Sequence, residues 1–277
     1  MLNQSLKIKK SNVPYDYFII DNLFDDSNYQ AIRKDFYQAI ENINSWHEEY
    51  GVAYSDNSKL DKPIYISGST AHKDSYSYLL SKFNKNSAAS EFLERLFDVN
   101  FFKKIIDENL LPKNIKIHKP SKKIGLFHKL FYDNLTLSLK ISRSSPGSGI
   151  AIHPDNYPKR ISMLLYFGWS DNKTRKLGGT QIYNAINNFE PGHHYYFKHE
   201  NFKLHENVFP LENRLMGFVA TKNSWHGVDP EETKDLKENN LTRDVLQINL
   251  VKHTNYGGLL KIVTELKNLI RKLSLKQ

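Results

Sequence analysis

The chain has 277 residues, no cysteine and a formal net charge of +9. That length is enough for one domain with a substantial core, so no disulfide staple is needed and none can form. The first residues, Met1 to Lys7, lack an apolar signal-peptide core, and no apolar stretch is long enough to span a bilayer, so the expectation is a soluble cytoplasmic protein. The basic excess is local: Lys7, Lys9 and Lys10 at the start, then Lys119, Lys122, Lys123 and Lys129, then six cations from Lys252 onward against the single acid Glu265. No RNA- or DNA-reading motif accompanies these clusters, so nucleic acid is not the expected partner.

Residues 14–24 read as a strand leaving a turn, and Asp25, Asp26 and Ser27 offer helix N-caps. Ile32, Phe36 and Ile40 then recur at helical spacing, which predicts a helix over 27–43. Residues 51–72 are polar and turn-rich and read as a long loop. Two more helices are predicted near 75–84 and over 88–108, the second burying Phe92, Leu93, Leu96 and Phe97. From about residue 124 the texture changes. Leu135 to Ile141 alternates with period two, as a half-buried strand does. Short apolar runs follow at Gly149–Ile152, Ile161–Phe167, Thr180–Tyr183, Arg214–Ala220 and Val245–Val251, separated by turn signals such as Pro146-Gly147, Gly178-Gly179 and Glu212-Asn213. Many short strands between turns indicate a sandwich or jelly roll. Segment 185–205, rich in Asn, His and aromatic residues, reads as an insertion loop, and the last stretch returns to helical period. The predicted architecture is one domain over 1–277: helical N-terminal support over 1–123, a mainly β core over 124–252, and a basic helix over 253–277 that packs on the barrel or at a homodimer interface.

Within the β region, His153-Pro154-Asp155 places two potential ligands on one side of a strand, because side chains at i and i+2 share a face. Pro154 cannot donate to a central ladder, so the pair belongs where a strand opens into a loop. The motif alone is weak. With 11 His and 30 acidic residues, roughly one His-x-acid match arises by chance, and a second, His47-Glu48-Glu49, lies in the region read as helical. His153 could equally be a turn histidine. What adds weight is His226 in Ser224-Trp225-His226-Gly227-Val228, directly after the strand-like run Arg214–Ala220. His193, His194, His199 and His205 fall in the 185–205 segment and read as solvated residues or cleft lining. Two histidines and a carboxylate form the facial set that suits non-haem Fe(II). Arg243 opens the run Arg243–Asn249, and by alternation it shares a face with Val245, Gln247 and Asn249. A guanidinium among inward-facing residues needs an anion, either the carboxylate of a bound organic acid or an Asp or Glu at the barrel rim.

In this order and spacing the residues resemble the Fe(II)- and 2-oxoglutarate-dependent dioxygenases, in particular the prolyl-4-hydroxylase-like branch. Ser145 to Asn156 is similar to the family's first metal strand, Leu177-Gly178-Gly179-Thr180 to its Gly-Gly strand, and Trp225-His226-Gly227-Val228 to its distal ligand. The resemblance covers about residues 130–252, with a weaker match at 14–40. It implies a double-stranded β-helix (a cupin-like jelly roll), with Fe(II) held by His153, Asp155 and His226. It also implies 2-oxoglutarate bound through Arg243, O2 as oxidant, and a hydroxylated peptide or small-molecule substrate with succinate and CO2 as co-products. The chain departs from the branch at two positions: Lys often stands where Arg243 falls, and relatives with Arg often carry a hydroxyl residue where this chain has Val245. Two other readings stay open: a cupin-like metal enzyme that does not use 2-oxoglutarate, and a non-enzymatic jelly-roll binding module.

Overall fold

The computed structural model describes residues 2–41, 47–49, 65–67, 80–106, 110–111, 114–119, 132–147, 149–155, 159–170, 176–186, 199–239 and 241–252. The helix predicted over 253–277, with the dimer contact assigned to it, lies outside these residues, as do most of the 75–84 helix and the Lys122–Lys129 cluster.

The β elements in chain order are β1 (Lys7–Ser11), β2 (Tyr17–Asp21), β3 (His47–Glu49), β4 (Tyr65–Ser67), β5 (Ile115–His118), β6 (Asp133–Ser144), β7 (Ile150–Pro154), β8 (Lys159–Trp169), β9 (Thr180–Ala185), β10 (Phe202–Val208), β11 (Arg214–Val219), β12 (Trp225–Val228) and β13 (Arg243–Lys252). The helices are α1 (Asp26–Glu41), α2 (Ala88–Arg95) and α3 (Val99–Ile105), with a 3-10 helix over Pro230–Asn239. The large sheet runs β1-β2-β11-β8-β13-β6-β4-β3, with β5 pairing β6, and the small sheet runs β10-β9-β12-β7. From β6 to β13 the chain alternates between the two sheets, only β9 and β10 staying in the same one. Two sheets wound together in this way are a double-stranded β-helix.

The large sheet separates two cores, and period-two alternation assigns each side chain to one of them. On β6, Leu135, Leu137, Leu139 and Ile141 point outward with Met163, Leu165 and Phe167 of β8 and Leu246, Ile248 and Leu250 of β13. Ile32 and Phe36 of α1, Phe92 and Leu93 of α2 and Phe102 of α3 cover that face. The Phe36 ring stacks on Phe167 with centroids 3.8 Å apart. Between the sheets lies a second cluster, Tyr17, Ile19, Tyr166, Ile182, Met216, Phe218 and Val245. Because both its faces are covered, β8 reads as a continuous apolar run rather than an alternating one.

Several elements differ from the sequence reading. The helix over 88–108 is two helices: the chain breaks after Arg95, and Asp98 accepts from the Asn100 backbone N–H at 2.9 Å, capping a new start. The N-terminal third is not only helical, since β1 to β5 all join the large sheet. His47-Glu48-Glu49 forms β3, paired with β4, rather than part of a helix. The 185–205 segment is not wholly a loop, because β10 starts at Phe202 and pairs along β9. β10 is an edge strand whose FKLHENV sequence buries little besides its two ends, so no alternation announced it. No helix among the described residues is long and apolar enough to cross a membrane.

Removing the ring that α1 stacks on the sheet should leave a cavity in the outer core. Phe36→Ala is expected to lower unfolding stability by about 3–4 kcal/mol, read from urea denaturation; a loss below about 1 kcal/mol would show that α1 is not packed on the sheet as described.

Candidate metal centre

β7 is the outermost strand of the small sheet, where a proline is tolerated because its missing N–H faces no partner. Pro154 ends that strand and Asp155 follows it directly. In the ladder with β12, His153 sits opposite His226, and Pro154 opposite Trp225. The imidazole centroids are 4.4 Å apart. One ligand atom each from His153, Asp155 and His226 lies within 4.8 Å of the others, so the three residues singled out in the sequence converge. Gly227 allows this pairing: a Cβ there would stand 2.8 Å from the Ile150 carbonyl oxygen, so only glycine lets β12 lie this close to β7.

Both imidazoles are oriented by backbone carbonyls. His153 Nδ1 lies 2.8 Å from the Ala151 oxygen and His226 Nδ1 2.8 Å from the Ser224 oxygen. A carbonyl only accepts, so Nδ1 carries the proton and Nε2 the lone pair, the tautomer a metal requires. Burial lowers the His153 pKa, and burial followed by the neighbouring His153 pushes His226 down to about 3. Both rings are therefore neutral at neutral pH. Burial pushes the Asp155 carboxyl up, but the Lys159 ammonium and the two imidazoles outweigh it and hold the group well below the usual carboxylate range. Asp155 Oδ1 accepts from Lys159 Nζ at 2.7 Å, and Oδ2 accepts from the Ser162 hydroxyl. An anionic carboxylate beside two neutral imidazoles is a donor set for a divalent cation.

Around the triad the barrel is closed by rings. Phe218 packs on His226 at 4.6 Å, Tyr15 packs edge-on to Phe218 at 5.9 Å, and the Tyr15 hydroxyl donates to the Trp225 carbonyl at 3.0 Å.

Arg243 begins β13, opposite Ser144 of β6. It is 6 % exposed, and its hydrogen bonds go to neutral acceptors: Nη1 to the Gly178 carbonyl and Nη2 to Ser144 Oγ at 3.3 Å. Among the described residues Nε has no partner, and no carboxylate forms an ion pair with the guanidinium. Asp244 points to the other face of the sheet and is held bidentately by Arg143 at 2.7 and 3.0 Å. Glu232 is likewise engaged: it accepts from the Gly178 N–H at 3.0 Å and from the Gln181 and Asn207 amides at 2.7 Å each. Burial pulls the Arg243 pKa down, with Tyr166, Glu232 and Asp244 opposing it.

The charged segment before Arg243 is the 3-10 helix Pro230–Asn239, anchored by Glu232 and by Thr233 Oγ1, which accepts from the Gly147 N–H at 2.8 Å. Sequence reasoning missed Ser144, Lys159, Ser162, Tyr166 and Thr180. Tyr166 and Thr180 share a hydrogen bond at 2.6 Å between the sheets. Ser162 and Tyr166 are in phase on β8, so the alternation of an inward-facing strand was the signal that could have found them.

No protein-family model matches this chain, and no curated protein does. Solved structures give loose matches. A Trichoplax adhaerens prolyl hydroxylase in complex with a hypoxia-inducible-factor peptide fragment is 13% identical, with TM-score 0.38, over 85% of this chain and 83% of that one. A Pseudomonas putida prolyl-4-hydroxylase is 12% identical, with TM-score 0.40, over 86% and 92%. The Fe(II)/α-ketoglutarate-dependent dioxygenase TqaL is 14% identical, with TM-score 0.43, over 89% and 86%. At these scores the functional reading rests on the residues themselves.

The two depressed histidines make a pH prediction. In the unfolded chain both return to the ordinary imidazole value of 6.5. Below that value the unfolded state binds more protons, so stability is full above about pH 6.5 and is lost as pH falls below it. Asp155 is also depressed, but its contribution is lost only below the ordinary carboxylate value of 3.8. Metal-free protein should therefore lose thermal stability between about pH 7 and pH 5, and His226→Gln should flatten that slope. An unchanged slope in the variant would mean that His226 is not held neutral by burial.

Proposed function

We propose that the protein is an Fe(II)- and 2-oxoglutarate-dependent oxygenase that hydroxylates an unactivated C–H bond of a peptidyl proline, an amino acid or another small molecule. The observation that carries this reading is Arg243, a buried guanidinium with an unpartnered Nε and no carboxylate ion-paired to it among the described residues. The triad alone would also suit a cupin-like enzyme that uses a metal without an organic acid. A buried cation with neutral partners calls for an anion from outside the chain.

In this reading His153, Asp155 and His226 hold Fe(II) from one side, leaving positions for the 2-oxo acid and O2. When bound, iron and 2-oxoglutarate supply the oxidant: one atom of O2 enters the substrate C–H bond, the other enters succinate, and CO2 leaves. Arg243 grips the distal carboxylate of 2-oxoglutarate through a guanidinium suited to planar oxygens. The hydroxyl that Val245 does not offer comes from elsewhere on the inner face. Ser144 already touches the guanidinium, and Tyr166 lies close enough to act on its charge. Phe218 and Tyr15 keep water from the imidazole side. Asp155 fills the third ligand position, which directs the outcome toward hydroxylation.

The test is succinate release from 2-oxoglutarate under Fe(II) and air. Wild type should turn over, and His153→Ala should lose at least about a hundredfold of the rate. Arg243→Ala should raise the KM for 2-oxoglutarate by about 30-fold or more, while the Fe(II) requirement changes by less than about threefold. Wild type that binds Fe(II) but releases no succinate would sink the proposal in favour of a metal enzyme without 2-oxoglutarate.

A further inference from the structure

Two parts of the barrel interior differ in chemistry. The part at His226 is aromatic and apolar, built from Phe218, Tyr15, Tyr17, Ile182 and Met216. Beside it on the same inner face of the large sheet, where Phe218 lies opposite Ser162, the rows of β8, β13 and β6 are mostly polar. Ser138, Asn249 and Ser162 lie directly opposite one another across the three strands, and Lys140, Gln247 and Leu164 form the next row. The first of these rows reaches the metal ligands, because Ser162 donates to Asp155.

Asn249 stands out in that row. It is 7 % exposed, yet no hydrogen bond engages its carboxamide among the described residues. Its neighbour Gln247 is committed through Nε2 to Ser142 Oγ at 3.0 Å. Its oxygen and nitrogen are not among the fully buried unpartnered polar atoms, so they meet open space inside the barrel, where a ligand can supply the partner. Its position opposite Ser162 puts it beside the carboxylate that would hold iron. Resting on the oxygenase reading, we propose that Asn249 binds the substrate, and that the oxidised carbon belongs to a small aliphatic group ending in a carboxamide or carboxylate. Such a group pairs with the donor and acceptor of Asn249 while its methylenes lie against Phe218. A prolyl ring fills the apolar side but leaves the carboxamide unpaired. The same terminal group occurs on free amino acids and on peptide side chains.

Calorimetry distinguishes these outcomes. The enzyme is loaded with Mn(II), which replaces iron without turnover, and with 2-oxoglutarate. It is then titrated with free Asn, Asp, Gln and Glu, with acetylated and amidated peptides containing the same residues, and with an acetylated prolyl peptide. At least one carboxamide or carboxylate titrant should bind wild type, and Asn249→Leu should weaken it by about tenfold or more with 2-oxoglutarate affinity unchanged. Asn249→Ser, smaller and polar, should weaken binding in the same direction and covers the case in which the leucine variant does not fold. Binding by the free amino acids or only by the peptides identifies the source. The inference is overturned if only the prolyl peptide binds, if no titrant binds, or if both variants bind as tightly as wild type. Wild type that takes up neither Mn(II) nor 2-oxoglutarate overturns the oxygenase reading itself and this inference with it.

Discussion

A carboxylate placed inside a β barrel has to be compensated, and the centre of this molecule is organised around that demand. Asp155 sits just past the end of β7, walled by rings and flanked by two imidazoles that are themselves uncharged. Among the described residues, the Lys159 ammonium and the Ser162 hydroxyl are the groups that hydrogen-bond its oxygens. The neutrality of the histidines follows from the same burial, and their Nδ1 protons are assigned by backbone carbonyls rather than by titratable partners. The result is one negative charge and two lone pairs within a few ångströms, fixed by strand pairing before any ligand arrives. A divalent cation resolves the imbalance more completely than a lysine can, because it is bound by all three groups at once.

The opposite imbalance lies at Arg243, where among the described residues a buried positive charge has only neutral acceptors. The two nearest acids are committed elsewhere, Asp244 to Arg143 across the sheet and Glu232 to three amide donors. In the proposed function one ligand would use both imbalances, a chelating acid at the triad with its second carboxylate at Arg243. Neither end alone separates the proposed chemistry from that of other jelly-roll metal proteins, and the proposed function draws on both.

Much of this was legible in the sequence because the chemistry rides on period two. The placement of His153 and Asp155 on one face, the strand-end position of Pro154 and the inward phase of Arg243, Val245 and Gln247 all follow from alternation. The strands β6, β8, β11 and β13 were legible as well, through alternation or, in β8, through a continuous apolar run, because their burial demands strong apolar patterns. What alternation does not reveal is an element with little to bury. β10 and β1 are edge strands with few buried side chains. The break between α2 and α3 depends on a single capping aspartate inside an otherwise helical pattern. The hydroxyls of Ser144, Ser162 and Tyr166 are common residues whose importance comes from what lies across the sheet, and pairing register is a tertiary fact.

The long interval between His226 and Arg243 finds its reason in the same register. β12 lies in the small sheet and β13 in the middle of the large one, so the chain must cross the end of the barrel between them. It does so as the 3-10 helix Pro230–Asn239, and this crossing is pinned at both sides. Thr233 holds the turn at Gly147, between β6 and β7, and Glu232 holds Gly178, Gln181 and Asn207 on the β9–β10 side. Gly178 in turn receives Arg243 through its carbonyl. A Cβ at Gly178 would stand 2.9 Å from the Thr233 methyl and 3.0 Å from the Trp169 ring, at a φ of +62° that already favours glycine. The charged interval is therefore a cap over the guanidinium end of the barrel. It orders the acceptor that orients Arg243, and it keeps Glu232, an acid near the guanidinium, occupied with amides so that the guanidinium stays available to a ligand.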